Sequence, residues 1–192
     1  MKITLKQDKA LVFTPYNRDF VDRIHGIGGA KWNGQCWEIP ADAVDLVRRI
    51  MVDVYGVSDL GGDTVDVEIK FRENYYSEAR ENLIIAGKSI ARAFGRDSNV
   101  VIDADTRIIE GSIESGGSRK YWYVKAIEGT VIMVKNVSRA KLTEVEDEEL
   151  EIKVLERSQA DQIANVDAEI QRLQDAIKKL ETHKADLAKE DH

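Results

Sequence analysis

The sequence predicts an α+β protein in three parts: a small ββαββα head over residues 1–60, an antiparallel β-rich middle domain over 63–155, and a C-terminal coiled-coil helix over 157–190. Three observations carry this. Asn33-Gly34, set between Lys31-Trp32 and Gln35-Cys36-Trp37, is a strong hairpin signal. The middle of the chain is a succession of short alternating segments broken by Gly and Ser. Its end repeats apolar residues every seven positions.

In the head, Ile3 and Leu5, then Ala10 to Phe13, flank the polar Lys6-Gln7-Asp8-Lys9, which suits two short strands joined by a turn and closed by Pro15. Asn17 is a helix cap. After it, Phe20, Ile24 and Ile27 recur at spacings of four and three, and Gly26, Gly28 and Gly29 stop the helix. A type I′ turn at Asn33-Gly34 pairs Trp32 with Gln35 and Ala30 with Trp37, so both indoles and Ile39 share one face, which reads as a core face. Past Pro40, the spacing of Val44, Val47, Met51 and Val54 predicts a second helix ending near Gly56. Gly61-Gly62-Asp63 is the domain boundary.

The middle domain reads as strands over 65–71, 82–85, 100–103, 107–113, 121–127 and 131–137, with a short helix or bent strand over 86–94. Turns at Ser115-Gly116-Gly117-Ser118 and Glu128-Gly129 favour a small barrel or sandwich. The acidic run over 144–151 reads as a solvated linker or strand flank, with DNA mimicry as the sharper alternative. In the tail, Ile163, Ile170, Ile177 and Lys184 occupy heptad a, and Val166, Leu173, Leu180 and Leu187 occupy d. β-branched a positions with Leu at d favour a parallel homodimer, and Lys184 discourages higher assemblies. A helix folded back on its own domain is the alternative.

Composition narrows the function classes. The chain has 192 residues and a net charge of −7, and no apolar run approaches the roughly 20 residues that cross a bilayer. Its first residues lack a secretory pattern, so a cytoplasmic location is expected, in the host cell if the chain is phage-encoded. Cys36 is the single cysteine, which excludes an internal disulfide and cysteine-based zinc sites and suits a small buried apolar residue. The acidity spares the head, where Met1 to Val57 carries eight Lys and Arg against seven Asp and Glu. A local basic face can bind nucleic acid on a chain that repels it as a whole.

Motifs for catalysis are weak. Ala86-Gly87-Lys88-Ser89 contains the end of a phosphate loop, but Asn82 stands where its first glycine belongs. Lys31 stands at the third glycine of a dinucleotide fingerprint beginning at Gly26. Asp103-Ala104-Asp105 offers two carboxylates to a divalent metal, which makes a metal-dependent nuclease of the β domain the enzymatic alternative. His25, His183 and His192 are dispersed, and no nucleophile has an evident base. No catalytic residue, metal ligand or cofactor is assigned. Lys31, Arg18 and Arg23 are the candidates for phosphate contact, with Arg48 and Arg49 extending the patch from the second helix; ordinary surface charge is the competing reading.

The stretch from Tyr16 to Val47 resembles the HARP-type module found beside the motor of annealing helicases and in similar short phage and plasmid proteins. The resemblance rests on the helix with Phe20, Val21 and Ile24, on Lys31-Trp32-Asn33, on Trp37 before Ile39-Pro40, and on the helix through Val44 and Val47. It covers about a sixth of the chain. It implies DNA binding, with a preference for junctions between single and double strands, and carries that role to Lys31, Arg18 and Arg23. The helicase motor is missing, the hairpin turn is shorter and the chain is acidic, so strand annealing is not implied.

The expected function is therefore that of a nonenzymatic accessory protein, phage- or mobile-element-derived, which recognises nucleic acid or a nucleic-acid-processing complex as a homodimer. Dimer contacts are assigned to Ile163, Val166, Ile170, Leu173, Ile177, Leu180 and Leu187. An inhibitor of a host defence nuclease or CRISPR effector, acting through protein contacts, is the alternative within the binding class.

Overall fold

Two strands, β1 (Lys2–Lys6) and β2 (Lys9–Phe13), open the chain as a hairpin in the computed structural model, which describes residues 1–156 and 159–190. Next comes α1 (Arg18–His25), whose first turn is closed by Asn17: its side-chain oxygen accepts the Phe20 N–H at 3.2 Å. β3 (Lys31–Trp32), β4 (Trp37–Pro40), a single 3-10 turn (Ala41–Ala43) and α2 (Val44–Tyr55) follow, and Gly56 ends α2 in the left-handed conformation at φ 73°. The four strands form one antiparallel sheet in the order β1-β2-β4-β3. Ala10, Val12, Trp37 and Ile39 face the helices and are buried with Phe20, Ile24, Val47 and Met51. Each of the larger side chains contributes about 1.5–3 kcal/mol by leaving water.

The rest of the chain is strand-dominated. β5 (Thr64–Phe71), β6 (Tyr75–Tyr76), β7 (Leu83–Ile85), β8 (Lys88–Arg92) and β9 (Val101–Ile102) lead into β10 (Thr106–Glu110), β11 (Ile113–Gly117), β12 (Trp122–Ala126) and β13 (Val131–Ser138). After α3 (Arg139–Thr143) and β14 (Leu150–Leu155) comes the long α4 (Gln159–Glu190). Three antiparallel sheets result, ordered β10-β13-β5-β14, β11-β12-β6 and β7-β8-β9. They enclose a second core containing Val67, Ile69, Phe71, Leu83, Ile90, Val124 and Ile132. Tyr75 packs against this core, and burial together with its contact to Asp147 pushes its phenol up to about 12.

The predicted α+β class is corrected by these proportions. Among the described residues fourteen strands lie in four sheets, and the protein is β-rich. Beyond the head, the described strands fall into three sheets rather than the single barrel or two-sheet sandwich expected. Of the two alternatives for the 86–94 segment it is the strand that forms, as β8 over Lys88–Arg92. β11 runs through Ser115-Gly116-Gly117, where a turn is predicted, and the chain reverses only at Ser118, whose N–H bonds the Tyr121 carbonyl at 3.0 Å. Gly116 permits this because a Cβ there would lie 2.9 Å from the Tyr123 ring. Within the acidic run, Asp147 closes a turn by accepting the Glu149 N–H at 2.9 Å, and Leu150 is buried as β14 begins.

The predicted coiled coil is corrected too. α4 is a single helix, and Ile163, Val166, Ile170, Leu173, Ile177 and Leu180 are 40–57% exposed along its stripe. Knobs need holes on a second helix, and among the described residues these side chains stand exposed with no helix packed against them. The side chains of Leu187 and His183, residues 157–158 and His192 lie outside the described part. The helix does touch the head, where the Arg172 guanidinium donates to the Asp59 carbonyl.

The head hairpin also differs from expectation. Trp32 pairs directly with Trp37, and Lys31 with Glu38, so the connection is a four-residue loop over 33–36 rather than a type I′ turn. Asn33 accounts for the change. Its N–H bonds the Cys36 carbonyl at 3.1 Å, and its side-chain oxygen accepts the Gln35 and Cys36 N–H groups at 3.0 Å each. With the loop amides satisfied by that side chain, Gly34 alone takes positive φ, at 96°.

Candidate nucleic-acid interface

Strand alternation divides the head sheet into two chemically opposite faces. Residues paired with the buried Ala10, Val12, Trp37 and Ile39 point toward α1 and α2; the others point away. The outward set is Lys2, Thr4 and Lys6 on β1, Lys9, Leu11 and Phe13 on β2, Glu38 and Pro40 on β4, and Lys31 on β3, as the register places them opposite one another. Four lysines therefore share an open sheet face with a single carboxylate. Lys2, Lys6, Lys9 and Lys31 are exposed, and Phe13 is 38% exposed beside them. Glu38 is already engaged, accepting from Asn33 Nδ2 at 3.0 Å and lying 3.8 Å from Lys9 Nζ. Four strands at about 4.8 Å spacing make this surface roughly 15 Å wide.

The five predicted contact residues do not gather in one place. Lys31 is on the open face, whereas Arg18, Arg23, Arg48 and Arg49 lie on the helices covering the opposite face. Arg18 Nη1 donates to Glu81 at 3.1 Å. Arg23 reaches Asp19 at 2.9 Å and Asp53 at 3.4 Å. Arg48 holds Asp59 through Nε and Nη2 at 2.9 and 3.1 Å and also reaches Asp45 at 3.3 Å; the bonds to Asp59 raise its already high pKa further. Arg49 is exposed. Three of the four arginines are thus ion-paired within the chain, which reduces the charge they can offer a phosphate.

The lysines of β1 and β2 escaped the sequence reading, which treated that hairpin only as scaffold. The signal was present: Lys2, Thr4 and Lys6 alternate with Ile3 and Leu5, so the polar set must share one face if the apolar set packs.

The two indoles part company. Trp37 is buried and meets His25 edge-on at 4.8 Å, while Trp32 leans on Trp37 at 5.5 Å and remains 54% exposed at the sheet edge. Cys36 is buried.

Asp103 and Asp105 sit in the turn between β9 and β10. Asp103 Oδ1 accepts the Asp105 N–H at 3.1 Å, and Asp105 is ion-paired to Lys88 at 2.5 Å. That lysine belongs to the β7–β8 hairpin, where Ala86 and Gly87 take positive φ, so Gly-Lys-Ser here is a tight strand reversal. No group of three or more His, Cys, Asp or Glu side chains suited to a metal ion occurs among the described residues. Nor is any described helix long and apolar enough to cross a membrane. No protein-family model, curated protein or solved structure matches the chain.

Proposed function

We propose that this is a nonenzymatic nucleic-acid-binding protein whose head lays the open face of its four-stranded sheet on a phosphate backbone. The observation that carries the reading is the clustering of Lys2, Lys6, Lys9 and Lys31 on one face of a chain with a net charge of −7. Random surface charge on an acidic protein would intersperse the signs. Here three of the four helix-side arginines are ion-paired, while the sheet side carries four lysines beside a single carboxylate, Glu38, which lies 3.8 Å from Lys9. Phe13 adds a ring among the ammonium groups on which a base can stack. The resemblance to HARP-type modules, carried on this face by Lys31, adds a preference for forked DNA to the proposal. A cytoplasmic setting goes with it.

Fluorescence titration of single-stranded, duplex and forked DNA across salt tests this. Four phosphate contacts give a duplex log-affinity slope against log salt of about −3 to −4, and each Lys→Glu change on the face flattens it by about one. The K2E/K6E/K9E/K31E variant is expected to lose binding while its circular dichroism is unchanged. Absence of binding by the unaltered protein at low salt overturns the proposal and points to a protein target.

A further inference from the structure

The sheet β11-β12-β6 has one face in the core and one toward solvent. Val124 and Ala126 of β12 are buried, so strand alternation turns Tyr121, Tyr123 and Lys125 outward, and the register sets Glu114 and Gly116 of β11 and Tyr76 of β6 on that same outer face. Tyr121 precedes β12 by one residue, yet the ladder runs through it, because its carbonyl accepts the Ser118 N–H at 3.0 Å. Tyr76 and Tyr121 are 52% and 56% exposed. Tyr76 meets Tyr123 edge-on at 5.2 Å, and Tyr123 reaches across β11 over its two glycines. A Cβ on Gly116 would lie 2.9 Å from that ring and one on Gly117 3.0 Å from it, so a side chain at either position would push the ring off the sheet. Cations stand beside these rings. Arg80 Cζ and Lys120 Nζ lie 5.8 and 5.2 Å from the Tyr121 centroid. Arg80 is held there by its N–H, which donates to the Trp122 carbonyl at 2.8 Å, and by Nε, which donates to the Lys120 carbonyl at 2.7 Å.

We infer that this tyrosine face binds single-stranded nucleic acid: unstacked bases lie on Tyr76, Tyr123 and Tyr121, and Arg80, Lys120 and Lys125 meet the phosphates. Spacing and charge select this occupant. Outward residues two apart on a strand are separated by about 6.7 Å, twice the roughly 3.4 Å between stacked bases of a duplex strand, so the rings of β12 suit bases already drawn apart. A duplex offers phosphates but no free base faces. A neutral glycan could lie on the tyrosines but would gain nothing from the cations, and an apolar protein partner would bury them uncompensated. Glu114, the carboxylate that the register places on this face, stands opposite Lys125 and accepts the Ser112 hydroxyl at 3.2 Å. Because the site uses no residue of the head sheet, it stands independently of the function proposed above.

The test uses the full chain with an oligothymidine of about 15 nucleotides, its RNA counterpart oligouridine, and a duplex of equal length. Tyr76→Ala and Tyr121→Ala are each expected to weaken single-strand affinity about five- to hundredfold and to leave duplex affinity unchanged, whereas Tyr121→Phe, which keeps the ring, retains single-strand binding. The paired DNA and RNA oligomers show which strand chemistry the site takes. Photocrosslinking with 5-iodouracil oligonucleotides is expected to label peptides containing Tyr76 or Tyr121, in the unaltered chain and in the head variant K2E/K6E/K9E/K31E alike. Crosslinks confined to the head, a folded Y76A/Y121A double variant with undiminished single-strand affinity, or no binding of either oligomer at low salt overturns the inference. Loss of duplex binding in the head variant with these crosslinks retained separates failure of one site from failure of the other.

Discussion

Arg48 shows how a charged residue is withdrawn from a binding role. Its two-point grip on Asp59, whose side chain is 9% exposed, ties α2 to the segment leaving the head. Removing the guanidinium leaves a largely buried carboxylate stripped of two charge-assisted bonds, and that asymmetry is what makes truncation costly. Arg48→Ala is expected to lower unfolding free energy by about 1–3 kcal/mol in denaturant titration. Adding Asp59→Asn should recover part of the loss, whereas the exposed neighbour Arg49→Ala should stay within about 0.5 kcal/mol of the unaltered protein. Equal effects at the two arginines are the outcome that refutes this assignment. From sequence the two are indistinguishable, adjacent and identical; only the burial of Asp59, a tertiary fact, separates them.

At the level of elements, periodic patterns that report on a local face were readable, and features decided by side-chain satisfaction were not. Val44, Val47, Met51 and Val54 specify α2, and Gly56 ends it at the expected place. The alternation over 65–71 likewise matches β5, which pairs on both sides. The Asn33 loop was missed because Asn-Gly suits both a type I′ turn and a side-chain-closed loop, and the amides of Gln35 and Cys36 choose between them. β11 was missed because Gly116 signals a turn in sequence but serves here to admit the Tyr123 ring. Another glycine links the two cores. Gly87 takes φ 71°, and a Cβ there would lie 2.7 Å from the Val54 carbonyl at the end of α2. Gly129 takes φ 78° with open space around its Cβ position. Gly129→Ala is expected to cost only the positive-φ strain of about 1 kcal/mol. Gly87→Ala should cost more, on the order of 2–3 kcal/mol by thermal melts, and should raise hydrogen exchange at the C-terminal end of α2. Equal costs would mean the packing contact contributes nothing.

For the whole molecule, the candidate site was legible in kind but not in place. Charge counts locate the non-acidic part of the chain in the head, yet which lysines act together depends on strand register, and Lys2, Lys6 and Lys9 join Lys31 only once β1, β2, β4 and β3 are ordered. The class was misjudged because the long heptad pattern of the tail and two short helices weighed more in the sequence than they do beside the fourteen strands of the described residues.

The unequal settings of the tryptophans have an optical consequence. Trp37 is shielded, Trp32 stands half in solvent at the edge of the head, and Trp122 borders a concavity of the β sheets. Replacing either Trp32 or Trp122 by Phe leaves an intrinsic emission signal weighted toward the other, so quenching by an added oligonucleotide reports on which end of the protein it has reached without any attached dye.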